Sequence, residues 1–79
     1  MRVGNGAFTM KDFDVLLGGV LREYRENKKM TQSEVAKLLH VTKMTISHWE
    51  TGKRSMKAED LKRYCAVLGV SVQEVLERT

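Results

Sequence analysis

The 79-residue sequence contains no proline and only one cysteine, Cys65. One cysteine cannot form a disulfide within the chain, and the single cysteine and two histidines show no spacing typical of a zinc site. No apolar run is long enough to cross a membrane, and the N-terminus lacks the apolar segment of a secretory signal. These absences favour a cytoplasmic protein without a metal or other cofactor. No small-molecule ligand is indicated either.

The composition is that of a small globular domain with a basic surface. Hydrophobic residues make up 42% and charged residues 30% of the sequence, values far from those of disordered chains. The 14 lysines and arginines exceed the 10 acidic residues, which leaves a net charge of +4. A basic balance in a chain this short favours a polyanionic partner such as nucleic acid.

The first nine residues differ from the rest of the chain. Residues 1–9 include two glycines and an asparagine and show no periodicity, so we expect a flexible N-terminal arm. Residues 10–79 are then the folded domain. Met10, where the regular pattern begins, is a candidate alternative start.

From residue 10 onward the apolar residues recur at helical spacing, and no segment alternates for long enough to form a strand. We predict five short helices. Their approximate bounds are 10–27, 31–40, 42–51, 57–68 and 71–76. Capping boxes, "TQSE" at 31–34 and "SVQE" at 71–74, open the second and fifth helices, and Gly52 ends the third. The second and third helices must cross steeply because only two residues separate the second from the cap of the third.

Two adjacent glycines interrupt the first predicted helix. Gly18 and Gly19 each lower helix stability by about 1 kcal/mol relative to alanine. Glycine is needed inside a helix where the backbone of a neighbouring segment lies too close to leave room for a side chain. We therefore predict a close approach of a neighbouring helix at this position.

The segment "LREYRENKKMTQSEVAKLLHVTKMTISHWETGKR", followed by "LGVSVQEVL", resembles the helix-turn-helix DNA-binding domains of the lambda-repressor/Cro type, also called Xre-like. The resemblance extends from about Leu17 to Leu76, with the helix-turn-helix unit at about 32–51. It implies an all-α, compact five-helix bundle. The sequence departs from the family pattern at Lys29 and His40, where glycine is usual, and at Met56, where proline is frequent.

The resemblance also implies which residues contact DNA. In this family the third helix lies in the major groove, with its N-terminal residues against the base edges. The residues that would face the bases are Lys43, Met44, Ser47 and His48. The residues that would contact phosphates, at helix N-termini and after the third helix, are Gln32, Thr42, Thr45, Thr51, Lys53 and Arg54.

Other residues are expected to be structural. In similar proteins the glutamate at the position of Glu50 pairs with an arginine of the first helix, here Arg25. Trp49 and Cys65 are expected in the core. A homodimer on an inverted-repeat operator would need a contact surface, and the residues considered for it are Met56, Val72, Val75 and Leu76. That these valines only close the core is an equally open alternative.

The sequence thus predicts a sequence-specific regulator of transcription that binds double-stranded DNA, and a repressor is favoured over an activator. The alternative is an antitoxin or a restriction-modification controller protein whose role includes a protein partner. An enzyme is not expected. Ser47 and His48 are adjacent on a helix and point about 100° apart, so they cannot act as a nucleophile and its base, and no glycine-rich phosphate loop is present.

Overall fold

A computed structural model describes residues 8–79 of the chain, and in this range it consists of five helices without strands. The helices are α1 (Met10–Asn27), α2 (Gln32–Leu39), α3 (Lys43–Thr51), α4 (Ala58–Leu68) and α5 (Val72–Glu77). The predicted all-α fold is confirmed. No helix in the described range is both long and apolar enough to cross a membrane. Of the expected N-terminal arm, residues 1–7 lie outside the described residues.

Side-chain caps define where the helices begin. Thr31 accepts a hydrogen bond from the amide of Glu34 at 3.0 Å, and the Glu34 carboxylate accepts one from the amide of Thr31 at 2.7 Å. This is the reciprocal capping box that the sequence predicts for α2. At α5 the prediction is only half right. Ser71 accepts from the amide of Glu74 at 2.9 Å, but the Glu74 carboxylate accepts from the hydroxyl of Tyr24 in α1 at 3.0 Å.

The turn between α2 and α3 uses a left-handed residue that is not glycine. His40 has φ 59° and ψ 42°, and its amide donates to the carbonyl oxygens of Ala36 and Lys37. Lys29, after α1, has φ 61°. These are the two positions at which the sequence departs from the usual glycine. A left-handed conformation costs an L-residue roughly 1 to 2 kcal/mol, so both positions reduce stability while preserving the path of the chain.

The two glycines of α1 have different surroundings. A Cβ atom on Gly18 would lie 2.2 Å from the carbonyl oxygen of Trp49 and 2.6 Å from that of Glu50, so α1 and α3 touch backbone to backbone here. A Cβ on Gly19 would meet nothing within 4 Å. The predicted close approach is therefore real at Gly18 and absent at Gly19.

All five helices contribute to one core. Its fully buried side chains include Leu21 of α1, Val35 of α2, Ile46 of α3, Tyr64 and Leu68 of α4, and Val75 of α5. Cys65 and Trp49 are also buried, with 1% and 5% of their surface exposed.

The burial of Val75 corrects one element of the expected dimer surface. Val75 has no exposed surface because α5 closes the core with it, so its side chain is not available to a partner. Met56 and Val72 are partly buried against the same core. Only Leu76, with 41% of its surface exposed, faces outward as a dimer contact would require.

Candidate nucleic-acid interface

Helix α3 has one buried and one exposed face. Ile46, Trp49 and Glu50 are buried against the other helices. On the opposite side, Lys43 is exposed and Met44 has 66% of its surface exposed. The side chains of Lys43 and Met44 are therefore both accessible to a contact outside the protein.

The remaining two residues expected to face bases lie on the same helix but are less accessible. Ser47 and His48 are half-buried, one turn beyond Lys43 and Met44. The four predicted residues thus occupy one continuous strip of α3. Its N-terminal end is the most exposed part, and it is therefore the end that can enter a groove most deeply.

A buried polar cluster holds α3 against the other helices. The Glu50 carboxylate accepts from Arg25 Nε at 2.7 Å and from Arg25 Nη2 at 2.9 Å, which makes the pair bidentate. The hydroxyl of Tyr64 in α4 also donates to Glu50. Arg25 Nη1 donates to the carbonyl oxygen of Met30 at 2.7 Å. Because these bonds join α3 to α1 and α4, and α1 to the segment before α2, the cluster fixes the orientation of α3.

The cluster also sets the ionisation of its members. Burial alone would raise the pKa of the Glu50 carboxyl, but the hydrogen bonds from Arg25, Tyr64 and Gln32 outweigh it, so this pKa lies below its ordinary value. The hydrogen bond to Glu50 raises the pKa of Arg25 despite its burial. Burial, together with the hydrogen bond to Glu50, raises the pKa of the Tyr64 hydroxyl well above its ordinary range. The cluster is therefore a charged Arg–Glu pair with a neutral tyrosine.

Gln32, the first residue of α2, belongs to this cluster as well as to the predicted DNA surface. Its Nε2 donates to Glu50 Oε1 at 3.0 Å. An amide nitrogen carries two hydrogens, so the second N–H remains available to an outside acceptor. Sequence spacing did not reveal this contact, because Gln32 and Glu50 are 18 residues apart and meet only through the fold.

The predicted threonines are engaged within α3. Thr42 Oγ1 accepts from the amide of Thr45 at 3.1 Å and lies 2.9 Å from Thr45 Oγ1. Thr51 Oγ1 donates to the carbonyl oxygen of Ser47 at 2.9 Å. The first two lie at the positive end of the α3 dipole, whereas Thr51 lies at the opposite end. Thr51 therefore lies at the other end of α3 from Thr42, and it is six residues along the chain from Thr45.

The basic residues after α3 lie in a defined loop, residues 52–57, which joins α3 to α4. Gly52 has φ 78° and ends α3, and the amide of Arg54 returns to donate to the carbonyl oxygen of His48 at 3.2 Å. Lys53 and Arg54 are exposed. Arg54 lines a surface cleft together with Lys57 and with Arg63 of α4, two basic residues that the sequence analysis did not single out. Two carboxylates line the same cleft, those of Glu59 and Asp60.

Comparison with known proteins shows which family has this arrangement of helices. A family model described as helix-turn-helix matches residues 21–75. The HTH-type transcriptional activator BcrR of Enterococcus faecalis is 36% identical over 56 residues, which are 71% of this chain and 28% of BcrR. The chain thus spans only about a quarter of that relative.

Two solved structures have the same fold. The clp gene regulator ClgR of Corynebacterium glutamicum superimposes with a TM-score of 0.80 at 34% identity, over 82% of this chain and 69% of ClgR. The restriction-modification controller protein C.AhdI of Aeromonas hydrophila superimposes with a TM-score of 0.74 at 24% identity, over 77% of this chain and 92% of C.AhdI. The second likeness shows the fold alone. From the family model and the extent of the match to ClgR, the chain belongs to the Xre, lambda-repressor-like family of helix-turn-helix DNA-binding transcription regulators.

Proposed function

We propose that this protein binds double-stranded DNA sequence-specifically, with α3 in the major groove, and that it regulates transcription by binding rather than by catalysis. The main support for the proposal is that α3 has one buried face and one exposed face. One face is locked into the core through Glu50 and Trp49, and the other presents the exposed Lys43 and Met44. A rigidly mounted helix with an exposed N-terminal end is the geometry with which helix-turn-helix proteins read base edges.

Each proposed base contact has a chemical rationale. Lys43 can donate to O6 and N7 of guanine, and Met44 can pack against the methyl group of thymine. His48 can donate to guanine or to a phosphate, and Ser47 is small enough to allow the approach. This combination favours a half-site with at least one G·C pair next to a thymine.

The proposed phosphate contacts surround that strip. The second N–H of Gln32 and the N-terminal amides of α2 and α3, beside Thr42 and Thr45, are suited to phosphate oxygens. Lys53 and Arg54 extend from the loop after α3 and add two positive charges at the rim. Thr51, bonded to the carbonyl of Ser47, would contribute only if the backbone of the DNA passes the C-terminal end of α3.

We further propose that a homodimer binds an inverted repeat in the cytoplasm and acts as a repressor. One domain reads only a few base pairs, and a two-fold dimer places two recognition helices about 34 Å apart, one turn of DNA. Leu76 is the outward-facing residue of the proposed contact surface, and the partly buried Met56 and Val72 are its other candidate members. Repression is favoured over activation because occupying a promoter is sufficient for it, whereas activation needs an additional contact with the transcription machinery.

Selection of bound DNA from a random duplex pool at near-physiological salt tests the proposal. The expected result is an inverted repeat whose half-sites are about one helical turn apart. A reporter gene placed under the recovered site would then distinguish repression from activation. Recovery of no motif, with binding that disappears as salt is added, would contradict sequence-specific reading.

Substitutions of two lysines, Lys43 and Lys53, distinguish base reading from phosphate binding. Lys43→Gln should cost about 1 to 3 kcal/mol at one base position and relax the preference there. Lys53→Gln should weaken binding to all sequences and reduce the slope of log K against log salt by about 1. Both changes remove the same charge from an exposed lysine, so each serves as the control for the other in titrations at several salt concentrations. Equal effects on sequence preference would contradict the assignment.

A restriction-modification controller or an antitoxin is the second candidate. The helix-turn-helix fold is compatible with either role. An antitoxin would in addition hold a stoichiometric protein partner. Affinity purification from the source cell distinguishes the candidates, since recovery of an equimolar small protein favours the antitoxin. A recovered DNA site beside restriction and modification genes favours the controller.

A further inference from the structure

We propose that the first turns of α1 act as a clamp that positions the loop after α3 for phosphate binding. The clamp consists of Lys11, Asp14 and Val15, which contact Gly52 and Ser55. These three residues precede the segment matched by the family model, residues 21–75. The inference rests on the proposed function, because the two residues between the clamped ends, Lys53 and Arg54, are proposed phosphate contacts.

One end of the loop is held at Gly52. Lys11 Nζ donates to the carbonyl oxygen of Gly52 at 2.7 Å, across 41 residues of sequence. The backbone of Gly52 also lies directly on α1, since a Cβ atom there would be 2.7 Å from Val15 Cγ2 and 2.8 Å from Val15 Cα. The ammonium group of Lys11 thus lies at the C-terminal, negative end of α3, where a cation is stabilising.

The other end is held at Ser55. Its hydroxyl donates to the carboxylate of Asp14, which is half-buried on α1. With both ends attached to α1 and the Arg54 amide bonded to the carbonyl of His48, the path of the loop is determined at three points. A loop held in this way loses less conformational entropy on binding, and that loss is a principal cost of ordering charged side chains on DNA.

Asp14 allows a test in which two explanations predict opposite signs. Removing a carboxylate near the DNA surface should tighten binding if only long-range charge matters. If the carboxylate positions the loop, its removal should weaken binding to all sequences by about three- to tenfold, the range of a single hydrogen bond. Ser55→Ala removes the same bond without a change of charge, so it should weaken binding to a similar extent.

The experiment measures affinity for one duplex at fixed salt for Asp14→Ala, Ser55→Ala and the control Glu59→Ala. Glu59 is an exposed carboxylate that lines the cleft beside Arg54 and Ser55, and within residues 8–79 it makes no hydrogen bond to the loop. The clamp predicts weaker binding for the first two variants and slightly tighter binding for the control. Tighter binding for Asp14→Ala, with no change for Ser55→Ala, would overturn it.

Amide hydrogen exchange of the free protein examines the clamp without DNA. Asp14→Ala should accelerate exchange of the Arg54 amide while leaving the α2 and α4 amides unchanged, because only the loop is released. Unchanged exchange at Arg54 would overturn the clamp even if the protein binds DNA. Failure of the wild-type protein to bind any duplex would instead refute the proposed function, and the exchange result would remain interpretable.

Discussion

Replacement of Glu50 by glutamine is the sharpest test of how α3 is held against the other helices. The change preserves side-chain size and removes one negative charge from a residue that is 4% exposed. Its partner Arg25, 7% exposed, would keep its charge and lose both of its bonds to a carboxylate. A buried guanidinium group that loses its buried counter-ion is among the most destabilising features that a single substitution creates.

The size of the effect follows from the burial of the pair. Removing one partner of a buried ion pair costs about 3 to 5 kcal/mol. Glutamine retains one acceptor oxygen, so we expect the lower end of that range. A domain of 79 residues has a total stability of roughly 4 to 12 kcal/mol. The variant should therefore lose a large share of its stability, and its melting temperature should be lower by at least about 12 °C.

Trp49 provides the measurement, because it is the sole tryptophan and is 5% exposed. Its fluorescence during urea or thermal unfolding reports the region of the cluster directly. Glu26→Gln is the matched control. Glu26 Oε2 lies 4.0 Å from Arg25 Nη2, but its side chain is 53% exposed, so its removal should cost less than about 1 kcal/mol. Similar melting temperatures for Glu50→Gln and Glu26→Gln would refute the proposed importance of burial.

The pH dependence of stability supplies a second readout from the same proteins. The pKa of Glu50 is depressed in the folded state, so its contribution is complete above the unfolded value of about 4.3 and is lost as the pH falls through the folded value. The difference in unfolding free energy between wild type and Glu50→Gln should therefore shrink on acidification below about pH 4. The pKa of Asp12, lowered by hydrogen bonds from Thr9, is common to both proteins and cancels in the difference. A constant difference down to low pH would contradict the ionised pair.

Three further predictions concern the backbone, and thermal unfolding measures all of them. Gly18→Ala should destabilise the protein by about 3 kcal/mol or more, because the new Cβ would collide with the carbonyl of Trp49. Gly19→Ala should stabilise it by about 1 kcal/mol, since the position is open and only helix propensity changes; equal effects of the two substitutions would contradict the packing. His40→Gly should stabilise the protein by about 0.5 to 1 kcal/mol by relieving the left-handed conformation, and a loss of stability would show that the imidazole makes a compensating contact.

The sequence predicted the helices well because their signals are local. The box at Thr31 and Glu34 and the glycine after Thr51 act within a few residues, and the structure places helix ends at both. The box at Ser71 was predicted by the same rule and is only half formed, since Glu74 bonds instead to Tyr24, 50 residues away. A local rule cannot account for a competing partner that the fold brings near.

The same distinction explains what could be anticipated of the interface. The resemblance to a family assigned the base-facing strip by position, and the structure places Lys43 and Met44 on the exposed side of α3. The resemblance did not indicate the clamp. Lys11 and Asp14 lie before the matched segment, and each bonds to a loop residue that is 41 residues further along the chain. The helical spacing of the apolar residues also could not decide whether Val75 faces the core or a partner, because a core and a dimer surface are both apolar. Only the packing of α5 decided it.

In the proposed function, the buried face of α3 contributes stability and its exposed face contributes recognition. Substitution of exposed residues such as Lys43 should change stability by no more than about 0.5 kcal/mol, whereas truncating a buried residue such as Ile46 costs about 2 to 5 kcal/mol. Base preference can therefore change with little effect on the fold. Gln32 departs from this separation, because one N–H of its amide completes the buried cluster while the other is proposed to reach a phosphate. Any coupling between DNA binding and the packing of α3 should accordingly pass through this side chain, which joins Glu50 to the outer surface.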